Sequence, residues 1–224
     1  MILRFTLVAA ALLGLAACGP AKTPATAESD AAKTPAGPPP PYVVQPGGTN
    51  DFFTPYQGGP LPLDEYSVGP IMAPTPFSPD AIKPRFPKAV VKAAVLHQGP
   101  GEPTPIITVE QAGAAVLEIQ GNPGGSTVGD IRITGGAPKG PRGETLMMKW
   151  ADADLDYPRC WMGKDRDLHA VICTQPGEPV LRYVFGVPGW RQDTMPPEAV
   201  LRDRGFLREF LWRGGGPVGP PPVP

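Results

Sequence analysis

The order of apolar and polar residues after residue 64 predicts strands more often than helices. Apolar residues alternate with polar ones or form short runs, and Gly, Pro and Asn separate these segments. Strands are therefore expected at residues 89–97, 106–110, 115–120 and 128–134.

The clearest hairpin joins residues 168–173 to residues 180–185. Its connecting sequence, TQPGEP, is dense in residues that favour turns. Leu181, Tyr183 and Phe185 are expected to share one face of the second strand, because successive side chains of a strand point to opposite faces.

One short helix is predicted at the sequence Ser78-Pro79-Asp80. It offers Ser as N-cap, Pro at the first helical position and an acidic residue in the first turn. Pro84 and Pro87 must end this helix early, because proline lacks the backbone N–H that a helix interior needs.

Two aromatic segments are less clear from their pattern. Residues 206–212 fit a helix, with Phe206 beside Phe210 and Leu207 beside Leu211, or a strand, with Phe206, Phe210 and Trp212 on one side together with Arg208. A strand is predicted, since Gly205 disfavours a continuous helix. Residues 144–150 fit either a strand or a helical turn. The fold class expected from all these elements is α+β, mostly antiparallel β with one or two short helices, in a single domain.

The amino terminus has the features of a secretory leader. Arg4 gives it a positive start, and residues 5–13 form an apolar segment too short to span a bilayer. The sequence Leu15-Ala16-Ala17-Cys18-Gly19 that follows resembles the lipobox of bacterial lipoproteins. This resemblance implies that residues 1–17 are a signal peptide, that Cys18 carries the lipid, and that Gly19 directs the protein to the outer membrane.

Proline and glycine are very frequent, with 34 Pro and 28 Gly among 224 residues. They concentrate at both ends, where no periodic apolar pattern exists, so those parts are expected to be disordered. The predicted organisation after the signal peptide is a lipidated Cys18 with a Pro-rich tether at 18–63, a globular domain at 64–213, and a Gly/Pro tail at 214–224.

The charge balance excludes one class of partner. The chain has 20 basic and 21 acidic residues, and the basic residues form no run. Nucleic-acid binding, which depends on clustered Lys and Arg, therefore has no support. Nothing after residue 18 is long and apolar enough to suggest a transmembrane helix. The membrane contact that we expect is the lipid on Cys18.

Cys160 and Cys173 are the cysteines that remain once Cys18 is acylated. A pair of cysteines in an oxidising periplasm favours a disulfide. Two alternatives stay open, a pair of free buried thiols and a metal site that adds His169, although that spacing is unusual for zinc.

Other candidate chemistry is weak. Asp152, Asp154 and Asp156 resemble the start of a calcium loop, but the glycine and the closing acid of such a loop are missing, which favours a solvated turn. The glycines of 124–129 lack the lysine of a phosphate-binding loop. The two histidines, His97 and His169, belong to no nucleophile motif. We predict no catalytic residues, no metal site and no cofactor.

Three segments resemble the envelope-stress (sigma-E) regulated bacterial lipoproteins, a family whose domain has no assigned function. They are Ser67–Phe77 (SVGPIMAPTPF), Pro105–Val109 (PIITV) and the stretch from Cys160 through Cys173 to Phe185. The resemblance implies an envelope location and an approximate fold. We therefore expect a non-enzymatic module that binds an envelope protein or peptidoglycan. The alternatives are a periplasmic hydrolase acting on cell-wall material and a module for a small ligand.

Overall fold

The computed structural model of the chain describes residues 53–97 and 102–214. Its main feature is an eight-stranded sheet in which every neighbouring pair is antiparallel. In spatial order, the strands are β4 (Val90–Leu96), β5 (Thr104–Gln111), β6 (Ala114–Gly121), β7 (Val128–Ile133), β12 (Phe206–Arg213), β11 (Glu178–Gly186), β10 (Ala170–Gln175) and β9 (Cys160–Met162).

Four short strands, two α-helices and four 3₁₀ helices of three residues each, Lys83–Arg85, Trp150–Asp152, Tyr157–Arg159 and Asp165–Asp167, complete the described structure. The strand β1 (Leu61–Pro62) pairs in parallel with β8 (Pro138–Lys139), and β2 (Ser67–Val68) pairs with β3 (Ile71–Met72). The α-helices are α1 (Pro79–Ile82) and α2 (Glu198–Arg204). The predicted α+β class, mostly antiparallel with short helices, is confirmed.

The two faces of the large sheet differ in chemistry. Val109, Leu117, Ile131, Tyr183 and Phe210 are fully buried on one face, which we call the core face. The alternate residues of the same strands point the other way and include many charged side chains, so we call that surface the charged face.

Two parts of the chain cover the core face. Leu61 and Leu63, which precede the predicted domain boundary at 64, are buried in the core together with Ile82 of α1. Trp150 and Leu201 of α2 are buried in the same cluster, although they come from the second half of the chain. This covering leaves the charged face as the surface on which a ligand could meet the sheet.

Most local predictions agree with the structure. Ser78 is the N-cap of α1, where its hydroxyl accepts a hydrogen bond from the Ala81 N–H. Leu181, Tyr183 and Phe185 share the core face as expected. The first strand of the predicted hairpin is displaced, because β10 begins at Ala170 rather than at residue 168.

The prediction of a strand at residues 206–212 is correct, but the predicted set of residues on its buried side is wrong at one position. The segment is a strand, but a register shift opposite Val184 and Phe185 changes the alternation near Arg208. Leu207, rather than Phe206, is therefore fully buried with Phe210 and Trp212. In the ambiguous segment 144–150, only Trp150 belongs to a regular element, a 3₁₀ turn over Trp150–Asp152.

Candidate binding groove on the charged face

A row of polar side chains crosses the sheet on its charged face. Cross-strand pairing places Glu118 beside Arg132, Arg132 beside Leu211, Leu211 beside Arg182, and Arg182 beside Thr174. Residues paired in this way across antiparallel strands have side chains within contact distance on one face. The sequence therefore brings two arginines to the middle of the sheet with one leucine between them.

Arg132 is the centre of a compact ion network with Asp167, Arg208 and Glu209, which we call the Arg132 cluster. Its Nη1 and Nη2 donate to the two carboxylate oxygens of Asp167 at 2.8 and 2.9 Å, and Nη1 also donates to Glu209 at 2.5 Å. Arg208 donates to the same two carboxylates at 3.2 and 2.6 Å.

The Arg132 cluster is largely removed from water. Arg132, Asp167 and Glu209 are 8%, 7% and 9% exposed. Burial alone would lower the pKa of Arg132, but hydrogen bonds to Asp167 and Glu209 outweigh it, and the pKa of Arg132 rises above its ordinary value. The cluster therefore stabilises its own charge and acts as a fixed part of the structure.

The cluster holds a loop against the sheet. Residues 163–169 leave the edge strand β9, and Asp167 reaches Arg132 on β7, close to the middle of the sheet. Gly163 is required at the start of this loop, because a Cβ there would lie 2.2 Å from the backbone oxygen of Asp167. Asp165 and His169 both have positive φ angles, 52° and 65°, which non-glycine residues rarely adopt.

A second pair fixes the same loop. Both terminal nitrogens of Arg166 donate to the Glu118 carboxylate. This hydrogen bond is the main reason that the pKa of Glu118 is lowered, although burial opposes it. Arg132 on β7 and Glu118 on β6 thus hold the loop to the sheet at two points.

Cys160 and Cys173 form a disulfide between β9 and β10, with an S–S distance of 2.05 Å. They are directly opposed in the strand register. The disulfide joins the edge strand β9 to its one neighbour in the sheet. Trp161 and Met162 on that strand are therefore held beside the loop by a covalent bond.

Between this loop and the sheet lies a groove of about 410 Å³. Ile172 and Leu211 form its apolar floor, and Trp161, which packs against them, forms one wall. The charged residues that line it are Asp130, Arg132, Lys164, Asp165, Arg166, Asp167, Arg182 and Arg213. An apolar floor with a few convergent polar groups is typical of a binding site for a small ligand.

Arg182 and Arg213 lie at one end of the groove with Asp130, and we call these three residues the Arg182 end. The Arg182 guanidinium carbon lies 5.3 Å from the centre of the Trp161 ring, a cation–π contact. Arg213 lies opposite Asp130 in the strand register, with Nε 3.7 Å from a carboxylate oxygen. That Nε is buried and has no hydrogen-bond partner among the described residues.

Charge is poorly stabilised at the Arg182 end. Burial lowers the pKa of Arg182 to about 10, and the neighbouring charge of Arg213 adds to this effect. Burial also raises the pKa of Asp130 despite the nearby arginines. Both shifts mean that this environment disfavours the charges it already contains.

The residues singled out in the sequence take varied positions. Cys18 lies outside the described residues. His169 is near Asp193, with Nδ1 3.6 Å from its carboxylate, and it does not line the groove. Asp154 and Asp156 have side chains that are 97% and 66% exposed.

Residues 53–97 and 102–214 also bear on metal binding and on membrane insertion. In those residues, no three His, Cys, Asp or Glu side chains are close enough together to hold a metal ion. No helix there has the length and hydrophobicity needed to cross a bilayer.

Sequence reasoning missed the groove because its residues come from distant segments. A signal was present in the strands themselves: charged residues interrupt otherwise apolar sequences at Glu118, Asp130, Arg132, Arg182 and Glu209. Charges at alternate positions of several interior strands indicate one polar face on the sheet.

Known proteins add information on the fold. The structure is similar to the crystal structure of the uncharacterized protein yfeY from Escherichia coli, with a TM-score of 0.56 and 20% sequence identity. The match covers 69% of this chain and 99% of that chain. At this identity the likeness shows the fold alone. No family model and no curated protein matches the chain.

Proposed function

We propose that this protein is a lipoprotein of the bacterial outer membrane, anchored through lipid on Cys18, whose domain is a non-enzymatic binding module. The observation that carries the binding role is the groove on the charged face, together with the disulfide and the ion pairs that fix its walls. We place the contact with an envelope protein or a cell-wall component in this groove.

Support for the anchor comes from the residues around Cys18. Leu15, Ala16 and Ala17 give the apolar and small side chains that a lipoprotein signal peptide has before its cysteine. One acyl chain holds a protein on a membrane only marginally, whereas several chains hold it stably. Membership of the sigma-E regulated lipoprotein family is part of this proposal and rests on the same residues and on the three segments quoted above.

One argument for binding rather than catalysis comes from two carboxylates at the Arg132 end of the groove, Asp167 and Glu118. Asp167 is held by two hydrogen bonds to Arg132, and the adjacent Glu118 is held by Arg166. A general acid or base must be able to exchange its proton with a substrate, and the hydrogen bond from Arg166, which lowers the pKa of Glu118, opposes this at Glu118. The fixed arginines, the apolar floor and Trp161 are better suited to holding a ligand than to cleaving one.

The anchor is tested by a Cys18→Ala variant in living cells. We expect this variant to lose labelling by radioactive palmitate and to leave the outer-membrane fraction, because the lipid acceptor is gone. The double variant Cys160→Ala/Cys173→Ala is the matched control, since it removes two cysteines and keeps Cys18. Continued labelling of Cys18→Ala, or an unprocessed wild-type chain in the cytosol, would overturn the anchor.

The binding surface is tested with a photo-crosslinking amino acid placed at Lys164, an exposed residue of the groove lining. We expect it to capture a defined envelope component in living cells. The control position is Met147, which is 68% exposed and lies outside the groove. Identical products from both positions, or no product from position 164, would contradict a role for the groove.

A further inference from the structure

We infer that the groove binds an oxyanion, a carboxylate or phosphate group, between Arg182 and Arg213, with the part of the ligand next to the anion against Trp161. This inference rests on the proposed function, because it names the chemistry that the binding surface would recognise. The guanidinium group suits both anions, since its N–H groups form a planar fork that matches two oxygens at once.

The first argument is the distribution of charge. The groove lining contains five cations, Arg132, Lys164, Arg166, Arg182 and Arg213, and three carboxylates, Asp130, Asp165 and Asp167. At the Arg132 end, two carboxylates just outside the lining pair with its arginines: Glu209 accepts a hydrogen bond from Arg132, and Glu118 accepts one from Arg166. Among the described residues of the groove lining, the positive excess therefore lies toward the Arg182 end.

The second argument is the local field. Burial and the charge of Arg213 lower the pKa of Arg182 despite the nearby Asp130, and burial raises the pKa of Asp130 despite the nearby arginines. A further negative charge beside Arg182 and Arg213 would offset part of the cost of their positive charges. The buried Nε of Arg213 offers a donor that lacks a hydrogen-bond partner among the described residues.

The third argument is shape. Trp161 is held by the disulfide strand, and its ring faces the Arg182 guanidinium at 5.3 Å. Ile172 and Leu211 continue this apolar surface along the floor. A volume of about 410 Å³ lies within the range for small-ligand sites. A ligand with a negative end and a flat or apolar body would meet matching groups along the groove.

The test uses four probes to distinguish the contribution of the anionic group to binding from that of the apolar body. They are phenyl phosphate, benzoate, inorganic phosphate and benzyl alcohol, added to the full chain carrying Cys18→Ala, and binding is followed through the Trp161 indole N–H resonance. We expect phenyl phosphate and benzoate to bind. Inorganic phosphate should bind with an affinity at least about threefold lower than that of phenyl phosphate, and benzyl alcohol should not bind. The two aromatic anions show whether phosphate or carboxylate is preferred.

Three variants connect this binding to the named residues. Arg182→Gln and Arg213→Gln should each weaken phenyl phosphate binding at least about tenfold, as expected for loss of charged hydrogen bonds. Arg213 lies at the end of β12, so its variant serves if the buried Arg182 variant fails to fold. Arg191→Gln, at an exposed arginine outside the groove lining, is the control and should bind as the wild type does.

Asp130→Asn provides a change in the opposite direction. Removing the carboxylate that competes for Arg213 should strengthen phenyl phosphate binding several-fold, an effect that a purely structural role would not produce.

The inference is overturned if benzyl alcohol binds as well as phenyl phosphate, or if neither Arg213→Gln nor Asp130→Asn changes the affinity. If no anion binds while crosslinking at position 164 persists, the inference fails and the proposed function survives. Anion binding without crosslinking at position 164 would support the inferred anion site and contradict the proposed contact with an envelope component.

Discussion

Arg132 and Arg182 are two buried arginines on the same face of one sheet, separated in their row by Leu211. They are almost equally buried, at 8% and 6% exposure. Their pKa values nevertheless move in opposite directions, upward for Arg132 and downward for Arg182. Burial disfavours the charge of both, so the difference lies in the neighbours that each arginine has.

The neighbouring side chains explain why the two ends of the groove differ. Arg132 has Asp167 and Glu209 as hydrogen-bond partners, and these bonds more than offset its burial. Arg182 has Arg213 nearby, which increases the cost of its charge, and Asp130, which reduces it only in part. Proteins tolerate locally unfavourable arrangements chiefly at functional sites. The Arg132 cluster therefore supports the fold, and the Arg182 end is suited to a ligand.

The largest predicted effect comes from replacing each arginine by methionine. Arg132→Met leaves Asp167 and Glu209 buried without their main partner, and removing one member of a buried ion pair costs about 3–5 kcal/mol. Arg182→Met should cost at least about 2 kcal/mol less, because it removes a charge that the fold disfavours. Urea unfolding at neutral pH measures both free energies.

A control for this comparison is Arg208→Met. Arg208 contacts the same two carboxylates as Arg132, but its side chain is 34% exposed. Its loss should cost about 1 kcal/mol or less, since water can solvate what remains. Equal losses for Arg132→Met and Arg182→Met would show that the two ends do not differ in this way.

The next effect concerns the covalent bond that holds β9 to the sheet. The cysteines are separated by 13 positions, and opening a loop of this size costs about 3 kcal/mol in the chain-entropy model. The Cys160→Ala/Cys173→Ala variant should therefore unfold at lower urea concentration. It should also bind phenyl phosphate more weakly than the wild type, because Trp161 lies on the released strand.

Mass spectrometry of the non-reduced protein checks the bond itself. A peptide pair linked through Cys160 and Cys173 is expected. Alkylation of both thiols without reductant would contradict the disulfide, and the variant would then lose little stability.

The fold was largely accessible from the sequence, because its signals are local. Alternation of apolar residues identified most strands, and Ser78 with Pro79 identified the start of α1. The register shift near Arg208 was not accessible, since it depends on pairing with β11 and leaves no mark in the alternation. Residues 144–149 were ambiguous for a similar reason: Met147 and Lys149 are held by contacts with β12 rather than by regular structure.

The groove was much less accessible from the sequence. Asp167 lies 35 positions from Arg132, and Glu209 lies 77 positions from it, so no motif connects them. No feature of the sequence separates Trp161 from the core residues Trp150 and Trp212, and only its strand position puts it on the charged face. Polar residues on interior strands predict a polar face of the sheet, but the order of the strands decides which of these residues contact one another.

A smaller effect is expected where Arg166 holds the loop to β6. Glu118→Gln removes one partner of a pair whose side chains are 17% and 30% exposed, and it should cost about 0.5–1 kcal/mol at neutral pH. The pKa of Glu118 is lowered in the fold, so its contribution is present above the unfolded pKa and is lost as pH falls through the folded pKa.

Unfolding of the wild type and Glu118→Gln should therefore differ at pH 7 and converge at low pH. Glu110→Gln, which removes an exposed pair with Lys92, is the matched control and should change little. A Glu118→Gln effect that is equally large at pH 3 would show that packing, rather than charge, holds the loop on this side.

The smallest effect should be a gain, at the Arg182 end. Burial raises the pKa of Asp130, so its carboxylate stabilises the fold less when ionised than when protonated. The sign follows from linkage: the folded state binds the proton more tightly, and stability from this group decreases as pH rises through the folded pKa.

Asp130→Asn should therefore unfold at higher urea concentration than the wild type at pH 7. The gain in the free energy of unfolding should be less than about 1 kcal/mol for this partly exposed group. The two proteins should become equal as pH falls below the unfolded pKa of the aspartate. A variant that is less stable at pH 7 would mean that the ion pair with Arg213 outweighs burial, and the contrast between the two ends of the groove would then be smaller than their pKa directions indicate.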